Sequence, residues 1–214
     1  MIRMIGKAVS LPAMEKEVPI SSISMRCMIS ATKKYIDIRI EKTMVSNESR
    51  ALVQMLENIK SPAKTIILAD RGYETYHVFA HIMAKGLAFV ICTKDISRKG
   101  GIAYGFRLPD RELDKDLEFF VTRSTVHSKR DPVRYKKISP RSVFDFLDLE
   151  KDGKQAVYPM KLRMVRFLLD TGEYECIVTN LKREEFPPWR IRELYHLRGG
   201  SAHFYLQSIK FQNG

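Results

Sequence analysis

Thr65–Asp95 reads TIILADRGYETYHVFAHIMAKGLAFVICTKD. Its first five residues, TIILA, form a short continuous apolar run, the mark of a central strand covered on both faces. Asp70 follows directly. A helix is predicted from about Glu74 to Lys85, with Tyr76, Phe79, Ala80 and Met83 on its inner side and Gly86 as its C-cap. LAFVICT (87–93) then reads as a second buried strand.

Upstream, SISMRCMIS (22–30) and YIDIRIE (35–41) read as a hairpin across the polar turn ATKK. In YIDIRIE, Ile36, Ile38 and Ile40 alternate with Tyr35, Asp37, Arg39 and Glu41, which is the period of a strand with one buried face. Asn47 is a fair N-cap for a helix whose stripe is Leu52, Met55, Leu56 and Ile59, and Pro62 ends that segment. Residues 1–20 show no clear period and are punctuated by Pro12 and Pro19. Strands bridged by helices imply a mixed α/β sheet.

Downstream of Asp95 the character changes. SRKGG (97–101) is a loop, and TRSTVHSKRDPVRYKK (122–137) is strongly basic. MKLRMVRFLLD and EYECIVTNL read as two strands joined at Asp170-Thr171-Gly172, a hairpin signal. Phe186-Pro187-Pro188 starts a final helix, WRIRELYHLR, which Gly199-Gly200 should weaken or end. The chain thus divides into an irregular segment (1–20), an α/β core (21–96), a β-rich insertion (97–185) and a C-terminal helix region returning to the core (186–214).

Thirty-seven Lys and Arg oppose 25 Asp and Glu, giving a net charge of +12. A field of that sign attracts polyanions, above all nucleic acid, although a merely basic soluble protein carries it too. No apolar run approaches the ~18 residues of a membrane span, and the N-terminus lacks a secretory pattern. Cys27, Cys92 and Cys176 are far apart, without metal-ligand spacing. Buried thiols in a reducing cytoplasm fit them best.

In an open α/β sheet, functional groups gather where strands deliver their C-terminal ends, and Asp70 stands at such an end. A carboxylate there can ligate a hard cation such as magnesium, or simply cap the helix that follows.

The residues around Asp70 favour the first role. ILADRGYETYHVFAHIMAKG resembles the central signature of the DDE transposases of bacterial insertion sequences, the IS-four group, where the second catalytic aspartate stands in a D-R-G-Y-E/D context on a ribonuclease H-like fold. MISATKKYIDIRIE is similar to the family's second and third strands. YPMKLRMVRFLLDTGEYECIVTNLKREEFPPWRIRELYHLR is similar to its β-rich insertion and the lead-in to its last catalytic helix. The likeness covers roughly 22–198. D-R-G-Y joined to T-N-L, F-P-P and L-Y-H-L-R in this order is a specific signal.

The resemblance implies a ribonuclease H-like mixed sheet interrupted by a β-rich insertion. It implies three acids holding two Mg2+ ions for phosphodiester cleavage and strand transfer, with DNA (element ends and target) as substrate. It makes Asp70 catalytic and metal-binding, and it makes Tyr195 and Arg198 DNA contacts near a cleaved end, with Lys210 near the place of the motif's final lysine. It further implies a cytoplasmic, nucleoid-associated bacterial protein acting as a homodimer or paired with a full-length transposase.

The sequence departs from that pattern at two acids. The first aspartate, in a D-G or D-S context on the first strand, finds no match, since Met1–Ile20 contain no aspartate. Asp37 matches a non-catalytic position. At the other end, Ala202 stands at the glutamate position and Ile209 at the lysine position, with Lys210 one place late; Glu193 comes nine residues too early. The expectation is a transposase-derived chain truncated at its start, lacking its first strand, altered at its end and catalytically incomplete. The alternatives are a DNA-binding remnant that poisons a complete transposase, and a decayed reading frame.

Other residues carry paired readings. Arg71 meets phosphate or braces Asp70, or else forms a surface ion pair. Gly72 marks a tight turn or a close backbone approach. Tyr195 and Arg198 could instead be core and solvated charge. Trp189, beside Pro187-Pro188, is expected to pack a helix start rather than stack on a base. His77 and His81, four apart on a helix, have no third metal ligand in sequence. The basic run 122–137 is a DNA-facing arm or a solvated loop.

Overall fold

The computed structural model describes residues 2–9, 22–29, 34–42, 48–59, 65–196 and 206–208, with side chains over 49–59 and 65–196. The central unit is β4 (Thr65–Ala69), a 3-10 turn (Arg71–Tyr73), α2 (Tyr76–Ala84) and β5 (Ala88–Thr93). β4 and β5 run parallel, with Ile67 opposite Phe89 and Ala69 opposite Ile91. Every residue of TIILA is buried, as its unbroken apolar character requires. α2 ends where Gly86 takes φ +66, and Leu87 N–H closes on Ile82 O at 3.1 Å, an αL cap that a Cβ would strain. The helix starts two residues later than its pattern predicts, because Thr75 Oγ1 is the cap, accepting from Val78 N–H at 3.2 Å, while Glu74 is engaged elsewhere.

Three strands lie beyond β4. β1 (Ile2–Val9) pairs antiparallel with β2 (Ser22–Ile29) and parallel with β4, and β2 pairs antiparallel with β3 (Lys34–Lys42). Ile2–Val9 is therefore a strand rather than the irregular segment expected there, and it takes the place that a missing first strand would have left open. Its pattern hid it: IRMIGKAV carries apolar residues on both alternate sets, interrupted by Arg3 and Lys7, so neither period two nor a continuous apolar run stands out. A short β10 (Leu206–Ser208) also meets β4, antiparallel.

On its other edge β5 pairs antiparallel with β9 (Tyr174–Thr179), and β9 pairs with β8 (Val157–Leu168) through the predicted hairpin, where Gly172 sits at φ +82. β6 (Leu113–Thr122) and β7 (Tyr135–Lys137) complete the run β3–β2–β1–β4–β5–β9–β8–β6–β7. The sheet passes without a break from β4 and β5 into the strands of residues 97–185. The mixed α/β architecture expected from the sequence is present and is consistent with a ribonuclease H-like fold.

Alternation along the strands sorts the interior into two layers. Ile67, Ala69, Phe89 and Ile91 face α1 (Glu48–Leu56) and α2, in a cluster that continues to Phe119 and Met160 of the insertion. Ile66, Leu68, Val90 and Ile177 face α5 (Pro188–His196), against Ile191 and Leu194. Short helices α3 (Thr125–Arg130) and α4 (Leu149–Asp152) decorate the insertion. Cys92 and Cys176 are buried free thiols. The side chains of Cys27 and Asp37 lie outside the described residues.

Candidate functional site

β4 ends at Ala69 and places Asp70, exposed and extended (φ −84, ψ 172), at the C-terminal edge of the parallel pair. Its carboxylate accepts from Arg71 N–H at 2.8 Å and so caps the 3-10 turn. Asp70 is thus a cap, though of the short turn and not of α2, and it remains presented to solvent. No left-handed φ is needed at Gly72. The Arg71 guanidinium turns toward the neighbouring strand, with Nη2 3.9 Å from Cys92 Sγ.

Glu74 does something the sequence reading missed. Its half-buried carboxylate accepts from Lys94 N–H at 2.9 Å and from Ile102 N–H, fastening the loop after β5 to the turn after β4. Burial raises its pKa, and those two backbone donors oppose the rise. Gly101 completes the fit: a Cβ there would lie 2.6 Å from Lys94 Cβ, closer than real Cβ atoms approach, and 3.3 Å from Glu74 Oε1. The signal available in sequence was a glutamate four residues after Asp70 and a glycine pair in SRKGG.

A second carboxylate, Asp95, stands just past the end of β5. Arg166 grips it through Nε at 2.7 Å and Nη2 at 3.2 Å, and Cys176 Sγ donates to it at 3.1 Å. Burial alone would raise this carboxyl, but the hydrogen bonds from Arg166, Cys176 and Ser97 outweigh it and hold it well below the usual carboxylate range. Asp95 is thus committed to structure.

The register of β1 on β4 bears on the missing acid. Ile2 lies opposite Ile67 and Arg3 opposite Leu68. That pairing ends at Leu68, and residues 1–20 contain no aspartate. Among the described residues, no three His, Cys, Asp or Glu side chains converge around Asp70; the group that does converge is His77, His81 and Asp145. A two-magnesium centre needs several carboxylates on cations ~3.5–4 Å apart. The described residues do not fit that requirement.

The remaining predicted site residues separate. Tyr195 is 2% exposed, packed in the cluster under α5. It is packed as a core residue, the second of its two sequence readings. Arg198 and Lys210 lie outside the described residues, as do Ala202 and Ile209. Glu193 is exposed on α5. Trp189 is 61% exposed, so it does not pack the helix start as expected; Phe186, 1% exposed, fills that place.

The basic run 122–137 divides as well. Lys136 is buried, its ammonium donating to Gly105 O and Pro132 O (2.7 Å) and lying 4.1 Å over the Phe106 ring. Burial pushes its pKa down to about 8. Arg123 donates to the carbonyls of Ser139, Pro140 and Ser142. Lys129, Arg130, Arg134 and Lys137 are exposed. Lys136 and Lys137, with Tyr104 and Arg107, line a cleft of about 790 Å3.

Among the described residues, no helix is long and apolar enough to cross a membrane. No curated protein matches the chain. The family model of the transposase DDE domain matches residues 21–200. That span takes in the β2–β3 hairpin, the Asp70 turn, the insertion and α5, and the chain therefore belongs to the transposase DDE domain family.

Proposed function

We propose that this chain engages DNA as a transposase-type protein of the insertion-sequence class but does not itself carry out strand transfer. One observation carries the second half: residues 1–20, which hold the strand paired beside β4, contain no aspartate. The family likeness calls for an aspartate on the first strand, in a D-G or D-S context. One carboxylate binds magnesium weakly and cannot place two ions. No step through a metal at Asp70 follows from these residues.

The DNA-binding half rests on the net charge of +12 and on where its bearers stand. Lys129, Arg130 and Arg134 are exposed on and just after α3, and Arg107 and Lys137 line the adjacent cleft. Phosphate contacts of this kind supply sequence-independent affinity that falls steeply with salt. Exposed Trp189, beside Arg190 at the start of α5, offers a surface on which a base could stack.

Fluorescence anisotropy with a labelled duplex across a salt series tests the reading. Replacing Lys129, Arg130 and Arg134 by Gln should weaken binding and lower the salt slope by about three. Incubating the protein with end-containing plasmid and Mg2+ or Mn2+ should leave the plasmid intact. Metal-dependent nicking that Asp70→Ala abolishes would overturn the incompleteness; an unchanged slope in the triple variant would overturn the interface.

A further inference from the structure

His77 and His81 stand one turn apart on α2, their rings edge to face with centroids 4.5 Å apart. In sequence they lack a third partner. The fold supplies one from 64 residues away: Asp145, on the insertion segment between β7 and α4, brings Oδ2 to 3.1 Å from His81 Nε2 and 3.9 Å from His77 Nδ1. One ligand atom from each residue falls within 4.8 Å of the others.

The decisive atom is His77 Nδ1. His77 is 7% exposed, and this nitrogen is buried with no hydrogen-bond partner while it faces the Asp145 carboxylate. Buried ring nitrogens are nearly always paired, so an orphan at the centre of a ligand-forming group asks for a partner. A cleft of about 810 Å3 is lined in part by His77, Asp145, Glu74 and Ser142.

The donor set decides the class of partner. Two imidazoles and one carboxylate suit zinc and its first-row neighbours, whereas magnesium prefers oxygen alone. Zinc–ligand bonds of ~2.0–2.1 Å put tetrahedral donors ~3.3 Å apart. The observed 3.1 and 3.9 Å separations lie close to that spacing, and Asp145, with its side chain 59% exposed, can adjust. We propose that His77 Nδ1, His81 Nε2 and the Asp145 carboxylate bind one divalent transition ion of the zinc class, with water in the fourth position, clamping the insertion to the core helix α2. The site is independent of Asp70 and of any DNA chemistry.

The test uses the full chain, stripped with chelator and titrated calorimetrically with ZnCl2 in excess MgCl2, alongside thermal melts. One ion per chain with a Kd in the micromolar range or below is expected, with Tm raised by several degrees. Asp145→Asn and His81→Gln should each weaken binding at least tenfold, while His127→Gln and His196→Gln leave it unchanged. Asp145 is exposed, so its variant should keep the metal-free Tm and far-UV spectrum of the parent, which separates lost ligation from lost folding. Cobalt loading should give a visible spectrum of nitrogen and oxygen ligation. Absence of saturable zinc binding, binding untouched by Asp145→Asn and His81→Gln, or an intense cobalt–thiolate band would each overturn the site.

Discussion

Two aspartates close two neighbouring parallel strands, and they have opposite fates. Asp70 follows β4, and Asp95 comes two residues after β5. Asp70 is exposed and bonded to its own next N–H. Asp95 is held by a guanidinium 2% exposed, which also bonds Asp110 and the Arg111 carbonyl. The position at a strand end is the same; the difference lies in which side chains reach it. β8, one strand beyond β9, presents Arg166 to Asp95, while Asp70 meets the N–H of its own next residue. A carboxylate at a strand end stays exposed or becomes a structural anchor according to the side chains that reach it, which local sequence does not record.

The contrast can be broken most forcefully at Asp95. Asp95→Ala leaves Arg166, among the described residues, with only the exposed Asp110 as counter-charge, and should lower unfolding free energy by about 3 kcal/mol in a urea titration. A loss comparable to an ordinary surface substitution would show that Asp95 is not an anchor.

Acid comes next in size. Burial would raise the carboxyl of Asp114, but Arg163 and Arg183 outweigh it, so its folded pKa, like that of Asp95, lies below the unfolded value near ~3.9. A group lowered on folding stabilises fully above its unfolded pKa and loses that contribution as pH falls toward its folded pKa. Stability should therefore hold above about pH 5 and drop steadily below about pH 4. In Asp95→Asn the drop should be shallower, as read by denaturation midpoints at stepped pH.

The smallest change belongs to Asp70. Asp70→Asn keeps the side-chain oxygen that caps the turn and should alter stability by no more than about 0.5 kcal/mol. A loss like that of Asp95→Ala would erase the distinction between the two sites.

What the sequence disclosed follows from range. Thr65–Asp95 was legible because its strands, helix and Gly86 cap are written in neighbouring residues. The 170–172 hairpin and the stripe of Leu52, Met55 and Leu56 were legible for the same reason. Ile2–Val9 was not, because its apolar residues fall on both alternate sets and its pairing is with distant strands. Trp189 misled because Pro187-Pro188 promised a packed helix start, which Phe186 fills instead. The burial of Lys136 within a basic run, and of Arg163 and Arg166 within β8, depends on carbonyls and carboxylates dozens of residues away. The metal-ligand group stayed hidden because Asp145 meets the histidine pair only in three dimensions.

The unbroken pairing of β5 with β9 bears on how such a protein could be rearranged by evolution or by engineering. Val90–Thr93 give their outer edge to Cys176–Thr179. A graft that excised 97–185 would strip that edge and leave a run of apolar strand with unmet amides, a template for intermolecular association. The segment 97–185 is thus not a detachable cassette. Recombinants that exchange it must carry its β9 strand in register or expect insoluble products.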